Sequence, residues 1–299
     1  MKTIALTGGT GFVGRRVIAL GASGGLHIRA LTRRAQPAEP NVSWVRGALD
    51  KPDSLAELVA GADAVLHVAG VVNAADAAGF TAGNVTGTQA MVDAAREGGV
   101  RRFVHVSSLS AREPQLSRYG ASKCGGEAVI EASGLDWTIV RPGGVYGPGD
   151  TELRDMFRMA ARGLALLPPP GRVGLVAVDD LARLLLALLD QPGAGDMYEV
   201  DDGHPLTHAE LAALIGQAVG QRVLPLHLPA ALLRLGARID RRLRGDKAKL
   251  TPDRASYLAH PDWTADPARR PPPELWEPRV ATARGLADTA AWYRAHGLL

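Results

Sequence analysis

Tyr119 and Lys123 stand four residues apart in Tyr119-Gly-Ala-Ser-Lys123, and a serine pair, Ser107-Ser108, lies upstream with ten residues between Ser108 and Tyr119. On a helix, residues at that spacing share one face, so the phenol and the ammonium can serve one site. A free tyrosine has a pKa of about 10, too high for base work at neutral pH. A neighbouring cation favours its charged form. A serine hydroxyl beside the pair can hold a substrate oxygen while the phenol passes a proton. The chemistry this suits is carbonyl–alcohol interconversion. Y-x-x-x-K alone is common; its place after Ser107-Ser108 and downstream of a glycine-rich turn gives it meaning.

That turn is Gly8-Gly9-Thr10-Gly11-Phe12-Val13-Gly14. It follows the apolar run Ile4-Ala5-Leu6-Thr7 and leads into Val13, Val17, Ile18 and Leu20, a helical spacing. In that setting Gly8 permits a tight turn, Gly11 lets the backbone approach a pyrophosphate, and Gly14 lets helix and strand pack closely. The helix N-terminus offers free N–H groups to the phosphates. About twenty residues further on, an acid binds a free ribose 2′-hydroxyl and an arginine accommodates a 2′-phosphate. Here the second strand, His27 to Thr32, runs into Arg33-Arg34 with no acid. The expected cofactor is NADP(H) over NAD(H), with Arg33 ahead of Arg34 as its contact; the alternative is a solvated pair of surface arginines.

The rest of the chain supplies elements to position these groups. Val42 to Val45 reads as a strand, Leu55 to Val59 as a short helix, and Ala64 to Gly70 as a continuous apolar strand. Such a run suits a parallel sheet buried on both faces. His67, at its end, either lines the cofactor groove or is a satisfied core histidine. Helix Asn84–Arg96, strand Arg102–Val106, a helix from Tyr119 through Ile130 and strand Asp136–Val140 continue the alternation. The pattern predicts an α/β fold, a doubly wound parallel sheet with helices on both faces. Ligands then bind at the carboxyl ends of the strands. Those ends carry the glycines, Arg33, Gly70, Ser107-Ser108 and Pro142.

After Pro148 the alternation weakens. Met156 to Ala161 reads as helical, Val176 to Asp180 introduces a leucine-rich helix, and Met197 to Val200 is a further strand. From Leu206 onward helices are expected to dominate, broken by Pro225, Pro229, Pro252, Pro261 and Pro271-Pro272-Pro273. The expected organisation is a cofactor domain over 1–150, completed by 175–202. A smaller, mainly helical substrate region covers 151–174 and 203–299.

A 46% hydrophobic, 22% charged composition is that of an ordinary globular protein. The net charge of +3 makes no case for a nucleic-acid partner, although the pI is near 9.2. Cys124 is the single cysteine, so no internal disulfide forms and a reducing compartment is expected. With only Met1-Lys2-Thr3 before the first strand, no signal peptide is expected. Leu181 to Leu189 contains Arg183 and is too short to cross a bilayer. The expected location is cytoplasmic, with peripheral contact at the inner face of a membrane left open. No metal-ligand set is expected. In the segment 230–249, Leu232, Leu235, Ile239 and Leu243 share one helical face. Arg234, Arg238, Arg241, Arg242 and Arg244 occupy the others, opposed only by Asp240 and Asp246. The favoured reading packs the apolar face into the core as a lid helix. The alternative lays it on an anionic membrane surface.

The sequence resembles the extended short-chain dehydrogenase/reductase family, in its epimerase, dehydratase and hydroxysteroid-dehydrogenase group. The resembling stretches are Thr7 to Gly14, His67-Val-Ala-Gly70, Asn84-Val-Thr-Gly-Thr88, Ser107-Ser108, Tyr119 to Lys123 and Arg141 to Pro148. They span roughly residues 1 to 200, with weaker echoes at Trp276, Gly285-Leu286 and Trp292-Tyr293. The resemblance implies a Rossmann-type fold and a catalytic triad of Ser108, Tyr119 and Lys123, with Ser107 a rival for the serine. It implies cofactor contacts from Gly8, Thr10, Gly11, Phe12, Val13, Gly14, Arg33, Leu49, Ala69, Gly70, Tyr119, Lys123, Pro142 and Gly143. Pro142-Gly143-Gly144 would border the nicotinamide. Two departures stand out. Ala48 replaces the acid the family often has after the glycine ending its third strand, so that adenine contact is not carried over. The short spacing from Ser108 to Tyr119, with Arg33, is similar to the branch of the complex I accessory subunit and its bacterial relatives. Some of those relatives look like ketoreductases of long-chain lipids, including ceramide-type sphingolipids.

The expected function is therefore an NADP(H)-dependent ketoreductase or alcohol dehydrogenase of a hydrophobic substrate, such as a long-chain keto-lipid. A nucleotide-sugar epimerase or dehydratase is the alternative, opposed by the missing acid after the second strand. A non-catalytic sensor or assembly protein is the third reading. Such a protein would be free to lose Tyr119 or Lys123, and this chain has both.

Overall fold

The structure, a computed structural model, describes residues 1–193, 195–245 and 251–299. Its first half alternates β1 (Thr3–Thr7), α1 (Phe12–Ser23), β2 (His27–Thr32), β3 (Val42–Arg46), α2 (Pro52–Val59), β4 (Ala64–His67), α3 (Ala77–Thr81), α4 (Gly87–Glu97), β5 (Arg102–Val106), α5 (Arg118–Glu131) and β6 (Asp136–Pro142). Next come β7 (Gly144–Tyr146), α6 (Arg154–Ala160), β8 (Leu164–Leu167), β9 (Arg172–Val173), β10 (Leu175–Ala177), α7 (Val178–Leu188) and β11 (Asp196–Val200). The remainder holds β12 (Leu206–Thr207), α8 (His208–Val219), β13 (Leu224–His227), α9 (Ala230–Arg244), α10 (Pro252–Leu258), β14 (Asp262–Trp263) and α11 (Thr282–Ala295).

Ile4, Ala5 and Leu6 are buried side by side because both faces of β1 are covered. β1 lies inside a seven-stranded sheet of order β11-β6-β5-β4-β1-β2-β3, and β1 through β6 pair in parallel. One layer of the core joins Ala5, Leu31, Val65, Phe103 and Ile139 to Leu55 and Leu58 of α2, Met91 and Val92 of α4 and Ile130 of α5. On the opposite face α1 packs against α7. A methyl group added at Gly21 of α1 would meet Ile28 and Leu186 there. The order reverses at β1, with β2 on one side and β4 on the other. That switch point is where this architecture opens a crevice for ligands.

The chain divides into two compact units. The first holds Met1–Pro142, Val178–Glu199 and Pro267–Glu277. Its last piece returns because the Trp276 indole donates to the Asp180 carbonyl at 2.8 Å. The second unit holds Gly143–Ala177, Val200–Asp266 and Pro278–Leu299. Its core centres on Tyr146, Phe157, Leu211, Ile215, Leu286 and Tyr293. A side chain at Gly285 would come within 2.8 Å of the Tyr146 ring, so glycine there lets α11 seat on it. The Tyr293 hydroxyl, in turn, reaches Asp150 at 3.2 Å.

One expectation is corrected. The helix expected from Asn84 opens as a π-helical turn, Ala82–Thr86, before becoming regular at Gly87. After Leu206 helices α8 to α11 dominate, and between them Leu224–His227 forms a strand parallel to Leu164–Leu167. Pro225 is tolerated because a two-stranded sheet does not require every amide of its strands. Among the described residues no helix is long and apolar enough to cross a membrane.

Candidate active site

Lys123 is buried on the inward face of α5, and its Nζ donates to the Val106 carbonyl at the end of β5, at 2.7 Å. Burial pulls its pKa down to about 8, against the upward pull of Glu127 one turn further along. Helix α5 can sit this close because it is capped and crowded at its start. The Ser117 hydroxyl accepts the Gly120 N–H at 2.9 Å, and a Cβ at Gly120 would lie 2.6 Å from the Ser110 carbonyl. That contact presses α5 against the 3-10 turn Leu109–Arg112, which Ser108 caps. Ser108 and Tyr119 are thereby brought within hydrogen-bonding reach.

The two serines are placed differently. Ser108 faces the phenol, whereas Ser107 is buried with its hydroxyl unpartnered and its N–H donated to the Val140 carbonyl at 2.7 Å. Tyr119 also packs against Phe80, with ring centroids 6.2 Å apart. Its electrostatics differ from the sequence argument. Burial raises the phenol above its usual pKa and the nearby Ser108 hydroxyl only partly opposes this, so the phenol holds its proton at neutral pH.

The glycine turn tests whether a dinucleotide fits. Gly8 has φ of +75°, and a Cβ there would lie 2.7 Å from the Ala69 amide nitrogen. At Gly14 a Cβ would lie 2.1 Å from the Gly8 carbonyl oxygen. Turn, helix and the exit of β4 therefore close on one another only with glycine at these places. No side chain caps α1 at Gly11, which leaves first-turn amides at Phe12, Val13 and Gly14 for an anion. A Cβ on Gly70 would stand 3.7 Å from the Lys123 ammonium. Gly8, Gly11, Gly14, Ala69, Gly70, Ser108, Tyr119 and Lys123 thus gather at the carboxyl ends of β1, β4 and β5, and the fit is good. Arg33 is exposed at the end of β2, Leu49 lies against Gly87, and Pro142 ends β6. Gly143 begins the second unit.

His67 is fully engaged. Its Nδ1 meets the Thr7 hydroxyl at 2.7 Å and its Nε2 meets the Thr88 hydroxyl at 3.2 Å. Thr88 donates to the Asn84 carbonyl, so Nε2 is the protonated nitrogen. Its ring stacks on that of His105 at 5.3 Å, and burial holds its pKa down to about 3. Several supports escaped the sequence reading. Asn84 clamps Val71, taking its N–H at 2.6 Å and giving to its carbonyl at 2.9 Å, and also donates to Ser122 at 2.8 Å. Glu127 takes a two-pronged hydrogen bond from Arg141, whose third nitrogen reaches Glu199; Glu199 also takes one from Arg112 at 3.0 Å. Asn84 and Arg141 lie in stretches the sequence had marked by resemblance, whereas Glu127, Glu199 and Arg112 had not been singled out.

Residues 8–192 match a family model described as NAD(P)H-binding. The chain belongs to that family. It is 37% identical, over 99% of its length and 96% of the relative's, to the ceramide reductase of Caulobacter vibrioides (strain NA1000 / CB15N). It is 28% identical to the dTDP-glucose 4,6-dehydratase of Actinoplanes sp. (strain ATCC 31044 / CBS 674.73 / SE50/110), over 98% of each chain. The crystal structure of gox2253 superposes with a TM-score of 0.80 at 25% identity, covering 100% of this chain and 99% of that one. The family member is a short-chain dehydrogenase/reductase of the extended group, an enzyme that binds a nicotinamide cofactor and acts on CH–OH or C=O groups.

Proposed function

We propose that this enzyme is an NADP(H)-dependent ketoreductase of a long-chain keto-lipid, with Ser108, Tyr119 and Lys123 at its reacting centre. The observation that carries the chemistry is the half-buried Tyr119 phenol beside Ser108, one helical turn from the Lys123 ammonium seated on the end of β5. Ser108 donates to the substrate's carbonyl oxygen and fixes it beside the phenol. Tyr119 then gives its proton to that oxygen as negative charge develops there. Lys123 is anchored on the Val106 carbonyl, and its charge stabilises the phenolate left behind. When bound, the nicotinamide supplies the hydride that reaches the carbonyl carbon, so ketone, hydride and proton balance as an alcohol.

The glycine turn and the start of α1 would hold the pyrophosphate. Leu49, Ala69 and Gly70 would lie along the adenosine half, and Pro142 and Gly143 at the nicotinamide. Arg33, exposed and with no acid after β2, supports the 2′-phosphate and so NADP(H). The lipid class rests on the 37% identity to a ceramide reductase. The test is oxidation of NADPH and NADH against short ketones, steroids and detergent-solubilised 3-keto sphingoid lipids. NADPH-dependent turnover of the long-chain ketone is expected. Tyr119→Phe should lower it by about 10²- to 10⁴-fold while NADPH still binds. Full activity in that variant would exclude the mechanism. The likeness to a dTDP-glucose dehydratase favours a second reading, a sugar-nucleotide epimerase or dehydratase. Protein purifying with tightly held NAD⁺ and reducing none of the ketones would support it.

A further inference from the structure

Two stretches of the second unit expose leucine where a folded protein normally shows polar groups. Strands β8 and β13 pair in parallel with Leu164 opposite Leu224 and Leu166 opposite Leu226. The alternate positions Ala165 and Leu167 point into the core against Ala212 of α8. The four leucines are 42% to 59% exposed, so they share the outer face. Parallel sheets are nearly always covered on both faces, and this one is bare on one.

Helix α9 follows β13 after only Leu228 and Pro229. The expectation that Leu232, Leu235, Ile239 and Leu243 pack into the core is corrected here. These four are 50% to 79% exposed, while Leu233 and Ala237 turn inward against Leu228 and Ala255. The helix has an inner seam that already satisfies its packing and an outer apolar stripe left exposed among the described residues. Asp246 to Lys249 and the side chain of Arg241 lie outside what the structure describes.

The charge along these segments is mostly positive. Arg162 and Arg222 precede the two strands and are exposed, as are Arg234, Arg238, Arg242 and Arg244 on α9. Across 161–168 and 221–245 the only acid is Asp240, which pairs with Arg244 at 3.2 Å. A second protein copy offering the same face would bring arginine against arginine. A bilayer of anionic lipid offers hydrocarbon for the leucines and phosphate for the guanidinium groups, which suits side chains that bury an apolar stem beneath a charged head.

We propose that the outer face of β8–β13 and the apolar stripe of α9 form one docking surface for an anionic membrane. It is independent of the substrate assigned above, because binding is read without turnover. The test is co-sedimentation of the full chain with phosphatidylglycerol vesicles and with phosphatidylcholine vesicles. Strong preference for phosphatidylglycerol is expected, weakening as salt rises. Two variants, Leu235→Ser with Ile239→Ser and Leu166→Ser with Leu226→Ser, should each lower vesicle binding at least tenfold. Their thermal midpoints and NADPH affinity should match the parent, because the replaced groups face out. Leu235→Trp should shift its emission to the blue on phosphatidylglycerol vesicles. Failure of the parent to bind them would overturn the proposal, as would full binding by either serine variant. A stable dimer that both serine variants convert to monomer would overturn it in favour of a second copy.

Discussion

Two buried polar clusters border Lys123 and meet the cost of burial in opposite ways. Around His67 and His105 every group is neutral, and burial, reinforced by the Lys123 charge, keeps both rings unprotonated. Around Glu127, Arg141, Glu199 and Arg112 the groups are charged and paired, with Glu127 and Glu199 almost wholly buried. Placing a neutral cluster and an ionic one about the same lysine tunes its charge from both directions. Desolvation lowers its pKa and Glu127 restores part of the loss. A lysine left with a pKa of about 8 is charged at neutral pH yet close to release.

The sharpest way to break this comparison is to remove one member of the ionic cluster. Glu127→Gln leaves the Arg141 guanidinium without its two-pronged partner and should cost about 3 kcal/mol in urea unfolding. Adding Arg141→Met should recover much of that loss, since an absent pair is cheaper than half of one. A cost in the single variant below that of the histidine changes would mean the network is not what holds α5.

The neutral cluster should respond less, and unequally. His67→Leu loses partners at both ring nitrogens and should cost about 1–3 kcal/mol. His105→Leu removes a ring whose two nitrogens have no hydrogen-bond partner among the described residues, and should change stability at pH 7 by less than about 1 kcal/mol. Acid separates the clusters again. The folded pKa of His67 is depressed to about 3 from 6.5, so the unfolded chain takes up a proton first as pH falls. Stability is full above the unfolded value and is lost between 6.5 and about 3, by about 1.4 kcal/mol per pH unit for this residue. Unfolding midpoints measured against pH should show a shallower decline in His67→Leu.

The smallest effect is on the rate profile. If Lys123 must be charged to support Tyr119, kcat/KM for ketone reduction should fall a few-fold as pH rises past about 8. In Glu127→Gln that limb should move to lower pH, because the carboxylate that raises the lysine pKa is gone. An unmoved limb would detach Glu127 from the lysine and leave it a purely structural residue.

What was legible in the sequence was local. The β1 run, the glycine turn and the spacing of Tyr119 and Lys123 each lie within one element and its neighbour, where a period of 2 or 3.6 residues is enough to read. The serine register was not, because it depends on how a 3-10 turn seats against α5 through Ser110 and Gly120. The stacking of His67 on His105 arises only when β4 and β5 pair with those residues opposite each other. The contact of Arg112 with Glu199 joins residues 87 positions apart. On α9 the sequence held two apolar seams, and periodicity favoured the more conspicuous Leu232 stripe over Leu233 and Ala237 as the inner one.

The path of the chain has a consequence for how the protein is made. It passes from one unit to the other after Pro142, Ala177, Glu199, Asp266 and Glu277, so neither unit is a continuous stretch of gene. As synthesis proceeds, β6 emerges well before β11, the strand that covers its open edge, and the Trp276 seat on Asp180 comes later still. A nascent chain stalled between those points presents an unpaired edge, the kind of surface that chaperones guard. No truncation short of residue 277 can yield the complete cofactor-binding half, and a gene fragment expressed as a minimal domain would be missing its last strand or its last contact.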